Sequence, residues 1–201
     1  MSDSTHKEDM KKLQKEQREK VKAKYIDRGI LVVNTGDGKG KSTAAFGTAV
    51  RAVGHGYKVA VVQFIKGNWS TGEQKIFEHF DEITHIVSGD GFTWDTQDKS
   101  KDIESAESGW SKVCDLIEEC REESKYHLIV LDELNIALSY GYLDVNKVVE
   151  VLKNKPEKLN IMVTGRGAPQ ELIDIADTVT EMKPIKHAFD NGIQAQRGIE
   201  F

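Results

Sequence analysis

The sequence is poor in cysteine and proline, with two cysteines and three prolines among its 201 residues. Two cysteines cannot form the disulfide framework of a small secreted protein, so we interpret Cys114 and Cys120 as packing residues. No apolar run approaches the roughly 20 residues of a membrane-spanning helix, and the polar N-terminus lacks the apolar stretch of a signal peptide. We therefore expect a cytoplasmic location and no membrane partner.

Positive charge is also in short supply. The chain carries 28 Lys and Arg against 33 Asp and Glu, a formal net charge of −5. Because nucleic-acid binding needs a basic surface, we expect no nucleic-acid partner. Hydrophobic residues make up 38% of the chain, enough to fill the core of one globular domain. Four histidines have no metal-ligand spacing and are interpreted as ordinary surface or loop residues: His55, His79, His85 and His127.

The first part of the chain is a charged arm in which Lys, Glu and Gln dominate. Apolar residues are sparse there, with Met10, Leu13, Val21 and Tyr25 among them, and they are too few to build a core. The pattern predicts a weakly amphipathic helix or a disordered arm, serving either as a solvated tail or as a lid that orders over a ligand. We therefore divide the chain into an arm of residues 1–28 and one domain of residues 29–201.

After Gly29, short apolar runs alternate with helical stretches. Continuous runs rich in Val and Ile are typical of strands buried on both faces of a parallel sheet, and they occur at Ile30–Val33, Val59–Phe64, Leu128–Leu131 and Ile161–Val163. Two further runs alternate more and are expected nearer the edges, at Ile83–Val87 and Thr178–Met182. Helical patterns separate the strands, at Thr43–Val53, Ile103–Cys120 and Val145–Leu152. This order predicts a doubly wound α/β domain, a mostly parallel sheet flanked by helices.

A glycine-rich segment follows the first predicted strand and opens the first predicted helix of this domain. Gly36, Gly38 and Gly40 let the backbone curl so that its N–H groups face inward and form an anion nest. Lys41 adds a positive charge for phosphates, and the Ser42 hydroxyl is placed to ligate magnesium. The segment predicts a P-loop NTPase-like, ATP-binding fold, with this loop at the carboxyl edge of a central first strand.

The phosphate loop is a variant, because Thr35 stands where the usual pattern begins with glycine. A plain glycine-rich turn is the alternative, which the strand–loop–helix context makes improbable. The expected ATP-binding residues of this segment are Asn34, Thr35, Gly36, Asp37, Gly38, Lys39, Gly40, Lys41, Ser42 and Thr43. Gln63, at the end of another predicted strand, is a weaker candidate.

Two acidic residues, Asp132 and Glu133, end the predicted strand Leu128–Leu131. Ligands of open parallel sheets bind at the carboxyl ends of strands, where acids can hold magnesium directly or through water. An ordinary helix cap is the alternative interpretation. The expected metal ligands are Ser42, Glu133 and Asp132, with Glu133 slightly favoured over Asp132.

Further blocks accompany the phosphate loop in a distinctive order. They are Arg51-Ala52-Val53-Gly54-His55-Gly56, Val61-Val62-Gln63-Phe64-Ile65-Lys66-Gly67, Gly91-Phe92-Thr93-Trp94, Leu131-Asp132-Glu133-Leu134, Thr164-Gly165-Arg166-Gly167 and Lys186-His187-Ala188-Phe189-Asp190. From about Arg28 to Phe201, the chain resembles the bacterial ATP:cob(I)alamin adenosyltransferases of the phosphate-loop type. The second and third blocks are the most specific, since many NTPases share the loop alone.

The resemblance implies a homodimeric enzyme that transfers the 5′-deoxyadenosyl group of ATP to Co(I) of a reduced corrinoid and releases triphosphate. It implies magnesium as cofactor and a flavodoxin-like or flavin reductant as partner. It adds Arg51 to the ATP-binding residues and makes Lys41 the catalytic residue. Phe92 and Trp94 would close the lower face of the corrin, and Arg166 would contact corrinoid or phosphate. The alternative for Phe92 and Trp94 is that they are core aromatics under a loop, and the alternative for Arg166 is that it is a surface arginine in a turn.

Two other functions remain open from the residues alone. An ATPase or kinase would cleave ATP between phosphates and release ADP. A nucleotide-dependent binding module would change partner affinity without forming a product. The aromatic block at Phe92 and Trp94 favours the adenosyltransferase, because a plain kinase has no use for it.

Overall fold

The computed structural model describes residues 3–65, 71–88 and 99–200. Six strands form one sheet, and in chain order they are β1 (Leu31–Thr35), β2 (Val59–Gln63), β3 (Ile83–Val87), β4 (Leu128–Asp132), β5 (Asn160–Thr164) and β6 (Thr178–Glu181). The described helices are α1 (Asp3–Lys22), α2 (Lys41–Gly54), α3 (Gly72–Phe77), α4 (Lys99–Glu123), α5 (Leu134–Ser139), α6 (Val145–Lys153) and α7 (Gln170–Ile175). A short 3₁₀ helix follows at Phe189–Asn191.

The sheet has the order β3-β2-β4-β5-β1-β6, and every neighbouring pair is parallel. The predicted α/β class is therefore confirmed, and the two alternating runs, β3 and β6, do form the edges. The expectation of a central first strand is wrong. β4 and β5 occupy the centre, whereas β1 lies next to the β6 edge. A continuous apolar run records only that both faces of a strand are covered. Both faces of β1 are covered, since Leu31 and Val33 belong to one core cluster and Val32 packs against the other.

Helices cover both faces of the sheet, and the core divides accordingly. Along β2, Ala60 and Val62 belong to the cluster formed with α4, α5 and α6, whereas Val59 and Val61 face α2 and α3. Successive strand residues point to opposite faces, so a strand covered on both sides must be apolar throughout. All five residues of β2 and of β4 are buried. Within the described residues, the helices thereby cover the faces of these strands and leave the strand ends free to form a site.

The two cysteines do not pair. Both are free thiols on α4, with Cys120 buried in the core and Cys114 half-buried. Burial raises the pKa of both thiols, with Asp115 contributing at Cys114 and Glu119 at Cys120. These surroundings agree with their interpretation as packing residues.

The charged arm forms the helix α1, and its apolar side chains remain exposed. Met10, Leu13 and Val21 have exposed fractions of 42%, 49% and 67%. Helix α1 therefore contributes little to the described core. No helix in the described part of the chain is both long and apolar enough to span a membrane.

The last residue of the arm, Arg28, is tied to the domain by an ion pair. Arg28 makes two hydrogen bonds to the Asp177 carboxylate, which also accepts the Leu31 N–H at 2.8 Å. The hydrogen bonds from Arg28 lower the pKa of Asp177. These contacts join the start of β1 to the loop before β6, whereas residues before Asp27 lack comparable contacts among the described side chains.

Deleting residues 2–25 is expected to leave a folded domain that still binds ATP, because the removed side chains whose burial is described, those of residues 7 and 9–25, are exposed. The melting temperature should shift by no more than about 2 °C. Calorimetry and equilibrium ATP binding measure both quantities, and Arg28→Ala in the full chain is the comparison variant expected to lower the melting temperature. An unfolded truncated protein would show that α1 supports the core.

Candidate nucleotide site at the carboxyl edge of the sheet

The phosphate loop joins β1 to α2 and packs against the chain that follows β6. Gly36 and Gly40 have φ of 93° and 104°, in the left-handed region that favours glycine. A Cβ added at Gly38 would lie 2.7 Å from the Met182 carbonyl carbon, so backbone contact requires glycine there. The Gly38 N–H donates to the Met182 oxygen at 2.7 Å. This N–H is therefore committed to Met182 and does not face inward as expected for the nest.

Lys41 is the first residue of α2, and the loop encloses its side chain. Its exposed fraction is 8%, and its Nζ donates to the Gly38 carbonyl at 2.6 Å. Burial lowers the pKa of Lys41, an effect that the nearby Glu133 carboxylate opposes. The ammonium therefore sits inside the loop with a backbone oxygen as its partner, a contact that a phosphate oxygen would replace.

The other predicted loop residues divide into buried and exposed groups. Asn34 and Thr35 are buried at the end of β1, where the Thr35 hydroxyl accepts the Ala168 N–H at 3.1 Å. Ser42 is half-buried in the first turn of α2, and Thr43 is exposed. Lys39 is exposed and forms an ion pair with Glu200. Only part of the predicted set therefore lines the interior of the loop.

The two predicted arginines lie in different places. Arg166 follows β5, and its Nε lies 3.9 Å from the Asp37 Oδ1, so it borders the phosphate loop. Arg51 is exposed in the last turn of α2. It lies ten helical steps beyond Lys41, about 15 Å along the axis. The structure thus brings Arg166, but not Arg51, to the loop.

The predicted acidic pair lies beside Lys41 but splits into two environments. Asp132 is buried, and its carboxylate accepts the Thr164 hydroxyl at 2.7 Å and the Gln63 amide at 2.9 Å. Glu133 has φ of 60°, and its Oε2 is buried without a hydrogen-bond partner. Burial, and then the Asp132 charge, raise the pKa of Glu133 to about 7. Glu133 is therefore the acid whose oxygen is left available.

Asn135 is a site residue that the sequence interpretation missed. It is fully buried, and its amide nitrogen donates to the Gly165 carbonyl at 2.9 Å and the Asn34 carbonyl at 3.4 Å. Its Oδ1 is buried without a partner. A Cβ at Gly165 would lie 3.0 Å from the Glu133 Oε2, so this glycine leaves room for the carboxylate. An Asn within the apolar run Leu134–Leu138 was the available signal.

Residues 27–201 match the model of a protein family described as ATP:corrinoid adenosyltransferase BtuR/CobO/CobP. The chain belongs to the ATP:corrinoid adenosyltransferase family.

Curated relatives of this adenosyltransferase match along nearly its whole length. It is 48% identical to the corrinoid adenosyltransferase of Pseudomonas aeruginosa over 200 residues, which cover 99% of this chain and 97% of the relative. It is 49% identical to one from Sinorhizobium over 188 residues, covering 92% of this chain and 86% of the relative. The enzyme of Escherichia coli K12 is 41% identical over the full length of both chains. The expected family and transferase activity are therefore confirmed.

The residues predicted to contact the corrinoid lie partly outside the described residues. Phe92 and Trp94 fall within residues 89–98, which lie outside the described residues. Lys66 and Gly67 also lie outside them, within residues 66–70. Arg166 is the predicted corrinoid residue that the structure does place, at the rim of the phosphate loop. The assignment of Phe92 and Trp94 to the corrinoid therefore stays a prediction.

Glu133→Gln is expected to stabilise the ligand-free adenosyltransferase at neutral and higher pH. In the folded wild type, Glu133 has a pKa of about 7 and keeps a proton that the unfolded chain releases near pH 4.5. The stability that this proton gives the wild type is complete below pH 4.5 and is lost as pH rises through 7. Gln cannot ionise, which avoids a cost of up to about 3 kcal/mol. Melting curves in EDTA should show a higher melting temperature for the variant than for the wild type at pH 8, and no difference between the two near pH 4.

The exposed Glu150→Gln is the matched control and should follow the wild type at both pH values. A constant difference between Glu133→Gln and wild type across this range would show that Glu133 ionisation is not coupled to folding.

Proposed function

We propose that this adenosyltransferase holds the triphosphate of ATP on the loop from Gly36 to Ser42 and exposes the ribose 5′-carbon to Co(I) of a reduced corrinoid. The 5′-deoxyadenosyl group moves to cobalt, and triphosphate is released. The buried ammonium of Lys41 inside a glycine-rich loop carries the proposal, because it offers a desolvated positive charge where a phosphate chain must lie.

The bond changes set few demands on the protein. The electron pair of Co(I) forms the cobalt–carbon bond, the bond between the 5′-carbon and oxygen breaks, and its electrons leave with the triphosphate. No proton leaves the attacking atom, so neither a general base nor a protein nucleophile is needed. The enzyme must position the 5′-carbon and neutralise the charge that develops on the leaving group. Lys41 neutralises this charge when its ammonium exchanges the Gly38 carbonyl for a phosphate oxygen.

The residues at the loop fit a magnesium ion bound together with ATP. Glu133 Oε2 is a buried carboxylate oxygen without a partner, and oxygen atoms are the ligands this cation prefers. Ser42 and Glu133 would hold the ion, which when bound adds positive charge beside the triphosphate. Both Asp132 oxygens already accept hydrogen bonds, so Asp132 serves better as a support for this site than as a direct ligand.

The corrinoid lies opposite the triphosphate in this proposal, between Phe92 and Trp94 below and Arg166 at the loop rim. A flavodoxin-like or flavin donor reduces cobalt, residues 1–28 act as a lid, and the enzyme works as a homodimer in the cytoplasm. Membership in the family, whose model matches residues 27–201, supports the parts of this proposal that lie outside the arm. The exposed apolar side chains of α1 also suit a lid, since a bound substrate or second copy would cover them.

Lys41→Ala is expected to lower kcat by about 10² to 10³, because it removes one preorganised charge from the leaving triphosphate. The assay combines magnesium, ATP and chemically reduced cobalamin, follows the corrin absorption spectrum, and identifies the phosphate product. Exposed Lys58→Ala is the control and should keep wild-type rates. Release of ADP by the wild type, or a Lys41→Ala rate within twofold of it, would contradict the proposal.

Phe92→Ala and Trp94→Ala are expected to impair cobalt reduction more than transfer. Apolar side chains that displace the lower axial ligand make Co(II) easier to reduce, since ligation and burial tune metal potentials. Activity with a flavin reductant should collapse, and much should return with a strong chemical reductant that forms Co(I) in solution. ATP affinity should stay near normal. Equal impairment with both reductants would assign the two aromatics to packing or substrate binding.

A further inference from the structure

Gln63 is a buried amide at the carboxyl end of β2 that the proposed transfer does not use. Its exposed fraction is 6%. The strand register places it beside Asp132 of β4 on one side and Val87 of β3 on the other. Its side chain bridges two titratable groups, the Asp132 carboxylate and the His85 imidazole, which come from the two neighbouring strands.

The direction of these hydrogen bonds is fixed by the carboxylate. The Gln63 Nε2 donates to the Asp132 Oδ2 at 2.9 Å, and a flipped amide would oppose two acceptor oxygens. The Gln63 Oε1 therefore points to the His85 Nε2 at 2.8 Å, and this ring nitrogen must carry a hydrogen. The imidazole donates to the amide, and the amide donates to the carboxylate.

The network continues on the other side of Asp132. The Thr164 hydroxyl donates to the Asp132 Oδ1 at 2.7 Å and accepts the backbone N–H of Glu133 at 3.0 Å. Donors from β2 and β5, which flank β4, thus hold the Asp132 carboxylate from both sides. One connected set of hydrogen bonds runs from His85 on β3 to the backbone of Glu133.

Glu133 needs this support because of its backbone conformation. Its φ of 60° lies in the left-handed region, which residues other than glycine adopt only when their surroundings hold them there. Its N–H depends on Thr164, and the Thr164 hydroxyl is oriented by Asp132. The direction of the Glu133 side chain is therefore linked to how firmly Asp132 is held.

We propose that Gln63 is a positioning residue for adenosyl transfer. It fixes Asp132 and, through Asp132 and Thr164, the Glu133 carboxylate in the orientation that receives magnesium and ATP. His85 anchors Gln63 to β3, the strand that precedes the predicted corrinoid block at residues 91–94. The inference rests on the proposed role of Glu133. Supports of this kind orient the groups that bind a metal, and their loss usually weakens metal binding or activity about 10- to 100-fold.

The test compares Gln63→Met, similar in size but without the amide, with a matched control at the opposite edge of the sheet. Asn160 begins β5, and its amide also bridges chain segments, donating to the His127 carbonyl at 3.0 Å and accepting the Ile30 N–H at 3.0 Å. ATP affinity is measured by calorimetry in EDTA and with Mg²⁺, and kcat with chemically reduced cobalamin. Melting temperatures identify any general loss of stability.

Gln63→Met should keep ATP affinity in EDTA within twofold of wild type. Its gain in affinity from Mg²⁺, and its kcat, should fall about 10-fold or more. Asn160→Leu should lower the melting temperature and leave both quantities unchanged. The inference would be overturned if Gln63→Met kept both kcat and its response to Mg²⁺ within twofold of wild type. It would also be overturned if the variant lost as much ATP affinity in EDTA as it does with Mg²⁺.

A spectroscopic readout separates this inference from the proposed metal role. In ¹⁵N-histidine spectra, neutral His85 should carry its proton on Nε2 in the wild type and lose this preference in Gln63→Met. A wild type whose ATP affinity does not respond to Mg²⁺ would refute the metal role of Glu133. The ratio of kcat between Gln63→Met and wild type, together with the His85 spectrum, would then decide the role of Gln63. If neither kcat nor the spectrum changed in the variant, Gln63 would not be a positioning residue.

Discussion

The parallel direction of all six strands places every carboxyl end at one edge of the sheet. Four strands end there in buried polar residues, namely Thr35, Gln63, Asp132 and Thr164. An antiparallel neighbour would have sent its own end to the opposite edge. Because β2 and β5 present donors beside the acceptor on β4, Gln63, Asp132 and Thr164 satisfy one another without solvent, whereas Thr35 accepts the Ala168 N–H. The site is therefore a property of strand direction before it is a property of any single loop.

At this edge, two groups of opposite charge are buried at a cost in free energy. Lys41 is buried against a backbone carbonyl, and Glu133 is buried with an oxygen that has no partner. Burial disfavours the charged form of each, although each charge moderates the shift of the other. A bound polyphosphate would offer Lys41 a stronger partner, and a cation would do so for Glu133. Under the proposed function, part of the affinity for ATP and magnesium would come from relieving the cost of burying these two charges.

Local patterns predicted the α/β class, the loop at Lys41 and the acids at the end of β4, because strand periodicity, glycine spacing and strand ends are visible in short stretches. The strand order was not predictable in this way, since a buried run looks alike at every interior position. His85 was interpreted as an ordinary surface or loop residue, yet it bonds to Gln63 from a neighbouring strand. Asn135 joins the ends of β1 and β5, a contact across 30 or more residues that no local pattern encodes.

The position of β1 between β5 and β6 has a consequence for how the enzyme is made. Both partners of β1 come from the last third of the chain, and the Gly38 N–H is bonded to Met182. A ribosome therefore releases the phosphate loop long before it releases the strands that shape it. Such distant pairings are slow to form because a long loop must close first. The phosphate loop therefore gains its neighbours in the sheet only after β5 and β6 have been synthesised.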